Sequence, residues 1–164
     1  MAFENLKTAV TTAPVLVSPQ DSELFWVEAD SSDFATGAVL SQQSTTDGKW
    51  HPVAFYSKSL SSVEQNYEIH DKEMLAIIHA LEEWRYFLER ATHLVEIWTD
   101  HKNLEYFITA KKLNRRQARW SLHLARFDFL LHHCPGRTMG KPDALSRRAD
   151  HRNGASDNEN IVLL

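Results

Sequence analysis

The chain has 164 residues, 43% hydrophobic and 24% charged, with a formal net charge of −4, which suits one domain with a core and is too little for two large ones. Five Gly and five Pro against five Trp, eight Phe and four Tyr exclude a low-complexity or disordered chain. The single cysteine, Cys134, excludes an internal disulfide, no apolar run approaches a membrane span, and the opening MAFENLKTAV lacks the pattern of a secretory signal.

After the turn-forming Ser18-Pro19-Gln20-Asp21, residues 24–30 (LFWVEAD) are predicted to form a strand that ends on Asp30. Residues 35–43 and 50–58, joined by Thr45-Thr46-Asp47-Gly48, read as two more strands, giving three in antiparallel succession. From 63 to about 90 the period becomes helical, with Ile77, Leu81, Trp84 and Leu88 on one stripe, and a single long helix is expected. Residues 93–100 (HLVEIWTD) form a fourth strand, again running into an aspartate, Asp100. A short helix at 103–108, a helix at 114–124, a strand at 126–133, a turn at Cys134-Pro135-Gly136 and a helix over 142–147 follow. Residues 149–164 are polar and short of aromatics, as in a mobile tail or linker.

This order is an α/β mixture. A crossover through the long helix would lay the fourth strand parallel to the first and beside it. Both strands would then present an aspartate at their carboxyl ends, where open α/β sheets keep their sites.

Charge is unevenly spread. Residues 1–110 hold 7 Lys and Arg against 17 Asp and Glu, residues 111–152 hold 11 against 3, and the last twelve residues return to −2. A basic stretch in an acidic domain can hold a phosphate backbone near a site built of carboxylates. Mutual neutralisation of the two halves explains the same numbers.

Asp30 and Asp100 are the first candidate pair. Glu73 is the next, because at 100° per residue it lines up with Ile77, Ala80 and Trp84 on the core-facing stripe; the alternative is an edge glutamate paired with Lys or Arg. Asp143, in GKPDALSRR, is the fourth, with a first-turn acid stabilised by the helix dipole as its alternative. Four converging carboxylates repel one another unless a counter-charge is present. Hard oxygen ligands suit Mg²⁺ or Mn²⁺, and two ions about 3.5–4 Å apart would activate water and stabilise the leaving oxygen of a phosphodiester. A carbohydrate hydrolase needs only two carboxylates and no basic arm. No P-loop and no G-x-S-x-G elbow is present, and His132-His133-Cys134 lacks the second spaced pair of a structural zinc site.

The segments VEADSSDFATGAVLSQ, VAFYSKSLSSVEQNYEIHDKEMLAIIHALEEWRYFL, TDHKNLEYF, LNRRQARWSLHLARFDFLLHHCPGR and KPDALSRR resemble, in collinear order over residues 24–148, the ribonuclease H domain of the Pol polyprotein of Gypsy-type (Metaviridae) LTR retrotransposons. The resemblance implies a ribonuclease H-like fold with a five-stranded mixed sheet flanked by helices. It implies a two-metal endoribonuclease acting on the RNA strand of RNA/DNA hybrids and leaving 5′-phosphate and 3′-hydroxyl ends. The catalytic and metal-ligand set it implies is Asp30, which would bridge both metals, Glu73 and Asp100, which would complete the sphere, and Asp143, which would hold the ion activating the attacking water. It also implies a connecting segment from reverse transcriptase over 1–21, the ribonuclease H domain over 22–148 and a linker toward integrase over 149–164. The polymerase domain of the same polyprotein would be a partner, no membrane would be, and the setting would be an intracellular, cytoplasmic virus-like particle. Cellular ribonucleases H and several retroviral ones carry a His in the loop before the last Asp; here that loop reads PGRTMGKP, and slower turnover is expected.

Because RNA shows its 2′-hydroxyls in a wide minor groove, polar groups near Asp30 and the start of the long helix are expected to touch it. Ser31, Asn66 and His70 are candidates, each with a cap or surface role as alternative. Arg115, Arg116 and Arg119 would steer phosphates, or pack a helix around Trp120. Two rival functions remain. A non-catalytic spacer or hybrid-binding module would resemble the enzyme overall, and a transposase or integrase of the same superfold would show its acids in the order Asp, Asp, Glu.

Overall fold

The computed structural model describes residues 16–102, 104, 112–134 and 140–148. Five strands, β1 (Phe25–Ser31), β2 (Ala35–Gln43), β3 (Trp50–Ser59), β4 (Val95–Thr99) and β5 (Phe129–His133), make one sheet in the order β3-β2-β1-β4-β5. The first three are antiparallel neighbours, whereas β4 runs parallel to β1 and β5 parallel to β4. The expected meander and the expected parallel placement of the fourth strand beside the first are both present.

Strand alternation explains the core. Phe25, Val27 and Ala29 of β1, Ala38 and Leu40 of β2, Ala54 and Tyr56 of β3, and Val95 and Ile97 of β4 are buried in one cluster. Register places them on a common face, and Ile77, Ala80, Leu81 and Trp84 join them there. The opposite face carries Trp26 and Trp98, which meet at 5.4 Å between ring centroids, and His132 stacked on Trp98 at 4.7 Å.

The single helix expected over 63–90 is instead three pieces: a 3₁₀ turn (Glu64–Asn66), helix α1 (Ile69–Glu83) and a short helix α2 (Arg85–Leu88). Tyr67 and Glu68 take extended ψ values of 151° and 154°, and Trp84 has φ −101° and ψ 20°. Both breaks serve a ring. Tyr67 lies beneath the Arg116 guanidinium at 3.7 Å, and Trp84 packs against Tyr56 at 6.3 Å. A hydrophobic period of 3.6 predicts the buried stripe and is blind to such interruptions.

Helix α3 (Arg115–Leu124) begins at a capping box between Asn114 and Gln117, which supplies partners for two backbone donors at its start. β5 begins later than expected at Phe129, because Arg126 and Phe127 donate backward to His123 and Leu124 and prolong the turn. Helix α4 (Gly140–Ser146) starts two residues before Pro142, so the proline falls in the first turn, where its missing N–H costs no helical bond. The helix expected at 103–108 (apart from Leu104), residues 135 and 136 of the expected turn, and the segments 1–15 and 149–164 lie outside the described residues. Residues before β1 are tied to the sheet: Val17 N donates to Pro52 O at 3.0 Å, and the Gln42 amide bridges Gln20 N and O at 2.8 and 2.6 Å.

α4 lies against β2 through Gly37. A Cβ there would stand 2.5 Å from Pro142 O and 2.6 Å from Ser146 N, so only a glycine permits this approach. Two strand-side hydroxyls complete the seat: Ser57 Oγ donates to Leu145 O at 2.8 Å and Ser32 Oγ to Ser146 O at 2.5 Å. They take up carbonyls that a helix cannot satisfy at its own end.

Gly37→Ala is therefore expected to destabilise the protein by about 1–3 kcal/mol, read as a lower urea midpoint with an unchanged slope. An unaltered midpoint would show that α4 does not depend on this contact.

Candidate active site

The parallel register pairs Trp26 with Glu96 and Glu28 with Trp98. Continued past the last paired residues, it brings Asp30, near the end of β1, level with Asp100, which follows β4. The second turn of α1 supplies Glu73. One carboxylate oxygen from each of Asp30, Glu73 and Asp100 lies within 4.8 Å of the others, the only such group of three His, Cys, Asp or Glu residues among the described residues. Asp30 and Glu73 are 6% and 4% exposed, whereas Asp100 is exposed. The cluster is closed on the protein side and open on the other.

Two hydroxyls hold the buried pair. Ser31 Oγ donates to Glu73 Oε1 and Ser146 Oγ to Asp30 Oδ2, each at 2.7 Å. Glu73 Oε2 is buried without a hydrogen-bond partner, a costly arrangement for a carboxylate oxygen. Burial pushes Glu73 up to about 8, and the Asp30 charge adds to the rise against the hydrogen bond from Ser31. Asp30 is raised to about 6, first by burial and further by the charges of Asp100 and Asp143, with the Ser146 hydrogen bond and Arg147 opposing. No lysine or arginine forms an ion pair with Asp30, Glu73 or Asp100 among the described residues. An orphan oxygen in a cluster of hard anionic donors fits a divalent cation.

The other expected site residues divide. Asp143 contributes to the potential at Asp30 but is not in the three-carboxylate group; it is half-exposed and paired with Arg147. Ser31 is buried and its hydroxyl is engaged by Glu73, so its evident work is to orient a carboxylate. Asn66 is exposed and its amide donates to Ser62 O at 2.8 Å, a turn contact. His70 is half-buried beside Glu68 at 3.4 Å and Asp71 at 3.8 Å. Arg115 and Arg119 are exposed. Arg116 is not: it pairs with buried Asp71, covers Tyr67 at 3.7 Å and reaches Trp120 at 5.5 Å, which is the helix-packing alternative. His133, a strand residue as expected, has Nε2 3.1 Å from Asp100 O. The residues 135–139 of the loop without a histidine lie outside the described residues.

Sequence reading missed Ser146 and Gly37. Ser146 stands three residues after Asp143, hence on the same side of a helix, and that spacing was its only signal. Gly37 gave none, because a glycine in a strand pattern marks close approach without saying to what.

Residues 20–127 match the family described as the RNase H-like domain found in reverse transcriptase. The chain belongs to this family. It is 44% identical over 151 residues to the Transposon Tf2-3 and Tf2-4 polyproteins of Schizosaccharomyces pombe, covering 91% of this chain and 11% of theirs, so it spans about a tenth of the length of those relatives. The likeness to Gypsy-type retrotransposon ribonuclease H domains is thereby borne out. Its fold resembles a foamy viral protease-reverse transcriptase solved in complex with RNA/DNA hybrid (TM-score 0.57, 15% identity, 80% of this chain and 18% of that one). It also resembles LC11-RNase H1, isolated from compost (TM-score 0.51, 13% identity, 77% and 93%). For this ribonuclease H-like domain the expected fold class holds, and no helix among the described residues is long and apolar enough to cross a membrane.

The raised carboxyls set a pH dependence. Unfolded, Asp30 and Glu73 ionise near 3.8 and 4.5; folded, they hold their protons to about 6 and about 8. The unfolded state therefore binds fewer protons between these limits, and the metal-free protein loses stability as pH rises from about 4 to 8. Thermal melts in EDTA should show this fall, Glu73→Gln should flatten most of it, and millimolar Mn²⁺ should raise the melting temperature more at pH 8 than at pH 5. Equal Mn²⁺ shifts at both values would contradict the site.

Proposed function

We propose that this domain is a metal-dependent endoribonuclease that hydrolyses the RNA strand of RNA/DNA hybrids during reverse transcription of an LTR retrotransposon. The observation that carries the reading is the group of three carboxylates, together with the buried, unpartnered Glu73 Oε2. A spacer module gains nothing from buried, mutually repelling acids, which lower stability when ionised. Family membership and the hybrid-bound foamy viral relative support the choice of substrate.

Asp30, Glu73 and Asp100 would hold Mg²⁺ or Mn²⁺, two ions in the full site, with Asp143 as the outer ligand once released from Arg147. Bound there, such ions supply a nucleophilic water and stabilise charge on the leaving 3′-oxygen. The protein's own contribution is orientation. Ser31 and Ser146 fix the buried carboxylates before substrate arrives, and the open side at Asp100 admits the scissile phosphate. Arg115 and Arg119 on α3 present positive charge for the phosphate backbone, while Asn66, His70 and the backbone around Ser31 lie at the mouth of α1, where 2′-hydroxyls would be read. Arg116 keeps α3 in place for this by its pairing with Asp71. Within the polyprotein, residues 1–21 would join reverse transcriptase to the ribonuclease H domain of 22–148, and 149–164 would lead to integrase, all within a cytoplasmic virus-like particle.

Cleavage of an end-labelled RNA/DNA hybrid tests the proposal. The parent chain with Mg²⁺ or Mn²⁺ should cut only the hybridised RNA, leaving 5′-phosphate ends; Asp30→Asn should lower the rate by about 100-fold or more, and Asp143→Asn by less. Intact RNA in a mixture where the folded protein binds hybrid would favour the spacer. Hybrid affinity should also fall by about tenfold between 50 and 200 mM salt, with a shallower slope in the Arg115→Ala, Arg119→Ala double variant. A slope unchanged by that pair would remove α3 from the interface.

A further inference from the structure

Helix α4 reaches the carboxylates at two points that differ in kind. Asp143, the expected ligand, is half-exposed and paired with Arg147. Ser146, one turn later, is wholly buried, and its hydroxyl stands 2.7 Å from Asp30 Oδ2. The backbone of the same residue is part of the helix seat: its carbonyl accepts from Ser32 Oγ at 2.5 Å, and its nitrogen belongs to the surface that a Cβ on Gly37 would strike. A serine hydroxyl has one proton to donate. Its other acceptor is Asp143 O at 3.1 Å, within its own helix, and that partner stays available wherever the helix goes. Only a seated α4 gives the proton to Asp30.

We propose that Ser146 is a positioning residue that couples the seating of α4 on β2 to the orientation of the Asp30 carboxylate, and thereby to the affinity of the three-carboxylate group for a divalent ion. The inference rests on the divalent-metal reading of that group. Ser146 touches neither metal nor substrate. It acts by holding one oxygen of Asp30, so that the carboxylate meets Glu73 and Asp100 in one orientation and not as a rotating group. Outer partners of this kind commonly change metal affinity by about 10- to 100-fold when removed. A domain whose C-terminal helix is displaced would, by this route, lose metal affinity with every ligand still present in the chain.

Calorimetric titration of the 164-residue protein with Mn²⁺ tests this without any activity assay, with folding followed separately by circular dichroism in EDTA. Ser146→Ala should weaken Mn²⁺ binding about tenfold. Ser146→Cys, which fills the space with a far weaker donor, should do the same and serves if the alanine variant does not fold. Ser57→Ala is the control: it removes another hydroxyl from the α4 seat, the one on Leu145 O, and should leave the affinity within about twofold of the parent. Parental affinity in both Ser146 variants would overturn the inference alone. So would an equal loss in a Ser57→Ala variant that melts in EDTA as the parent does, because α4 would then still be seated and the Ser146 hydroxyl still present. Unfolding of both Ser146 variants in EDTA would make the hydroxyl a stability element and overturn it too. A parent that binds no Mn²⁺, or an Asp30→Asn variant that binds as well as the parent, would overturn the metal reading and the inference together.

Discussion

Three carboxylates that repel one another are held within reach of a single ion, and the architecture around them is what keeps them there. Left to themselves, carboxylates in a poorly solvated cluster separate or take up protons. Here they are prevented from separating because Asp30 lies near the end of β1, Asp100 just past the end of its parallel neighbour β4, and Glu73 on the helix packed against β1 and β2. Burial first, and the neighbouring carboxylates after it, raise the proton affinities of Asp30 and Glu73, and a divalent cation is the natural relief for both.

The constraint reaches well into the fold. Helix α1 carries three consecutive charged residues, Asp71, Lys72 and Glu73, all buried, which is rare outside paired networks. Each points to a different partner. Asp71 takes Arg116 and Gln117 from α3, Lys72 meets Asp33 in the β1–β2 connection at 3.4 Å, and Glu73 receives the hydroxyl of Ser31. The start of α1 is thus tied to α3, to the connection after β1 and to β1 itself, and the extended backbone at Tyr67 and Glu68 that separates it from the preceding turn belongs to the same arrangement.

On the other side of the sheet the close approach of α4 at Gly37 does for Asp30 what α1 does for Glu73. A helix of seven residues has little stability of its own; its place is set by the missing side chain at Gly37 and by hydroxyls from Ser32 and Ser57. Basic charge is also distributed by the fold and not simply by the run of sequence. Of the arginines at the head of α3, Arg116 is consumed by Asp71 and the rings of Tyr67 and Trp120, whereas Arg115 and Arg119 face solvent.

The strands, the pairing of Asp30 with Asp100 and the inward face of Glu73 were all legible in the sequence, because alternation and helical period are local properties and a parallel crossover leaves few topologies. Asp143 was also a candidate from the sequence, with a helix-start acid as its alternative, and it stands outside the group of three carboxylates. What the linear pattern did not contain were contacts between residues far apart in the chain. The breaks at Tyr67 and Trp84 answer to Arg116 and Tyr56, the fate of Arg116 is decided by Asp71, and the hydroxyl on Asp30 comes from a residue 116 positions away. Hydrophobic period records which side of an element is buried; only the packed structure decides which polar group is waiting there.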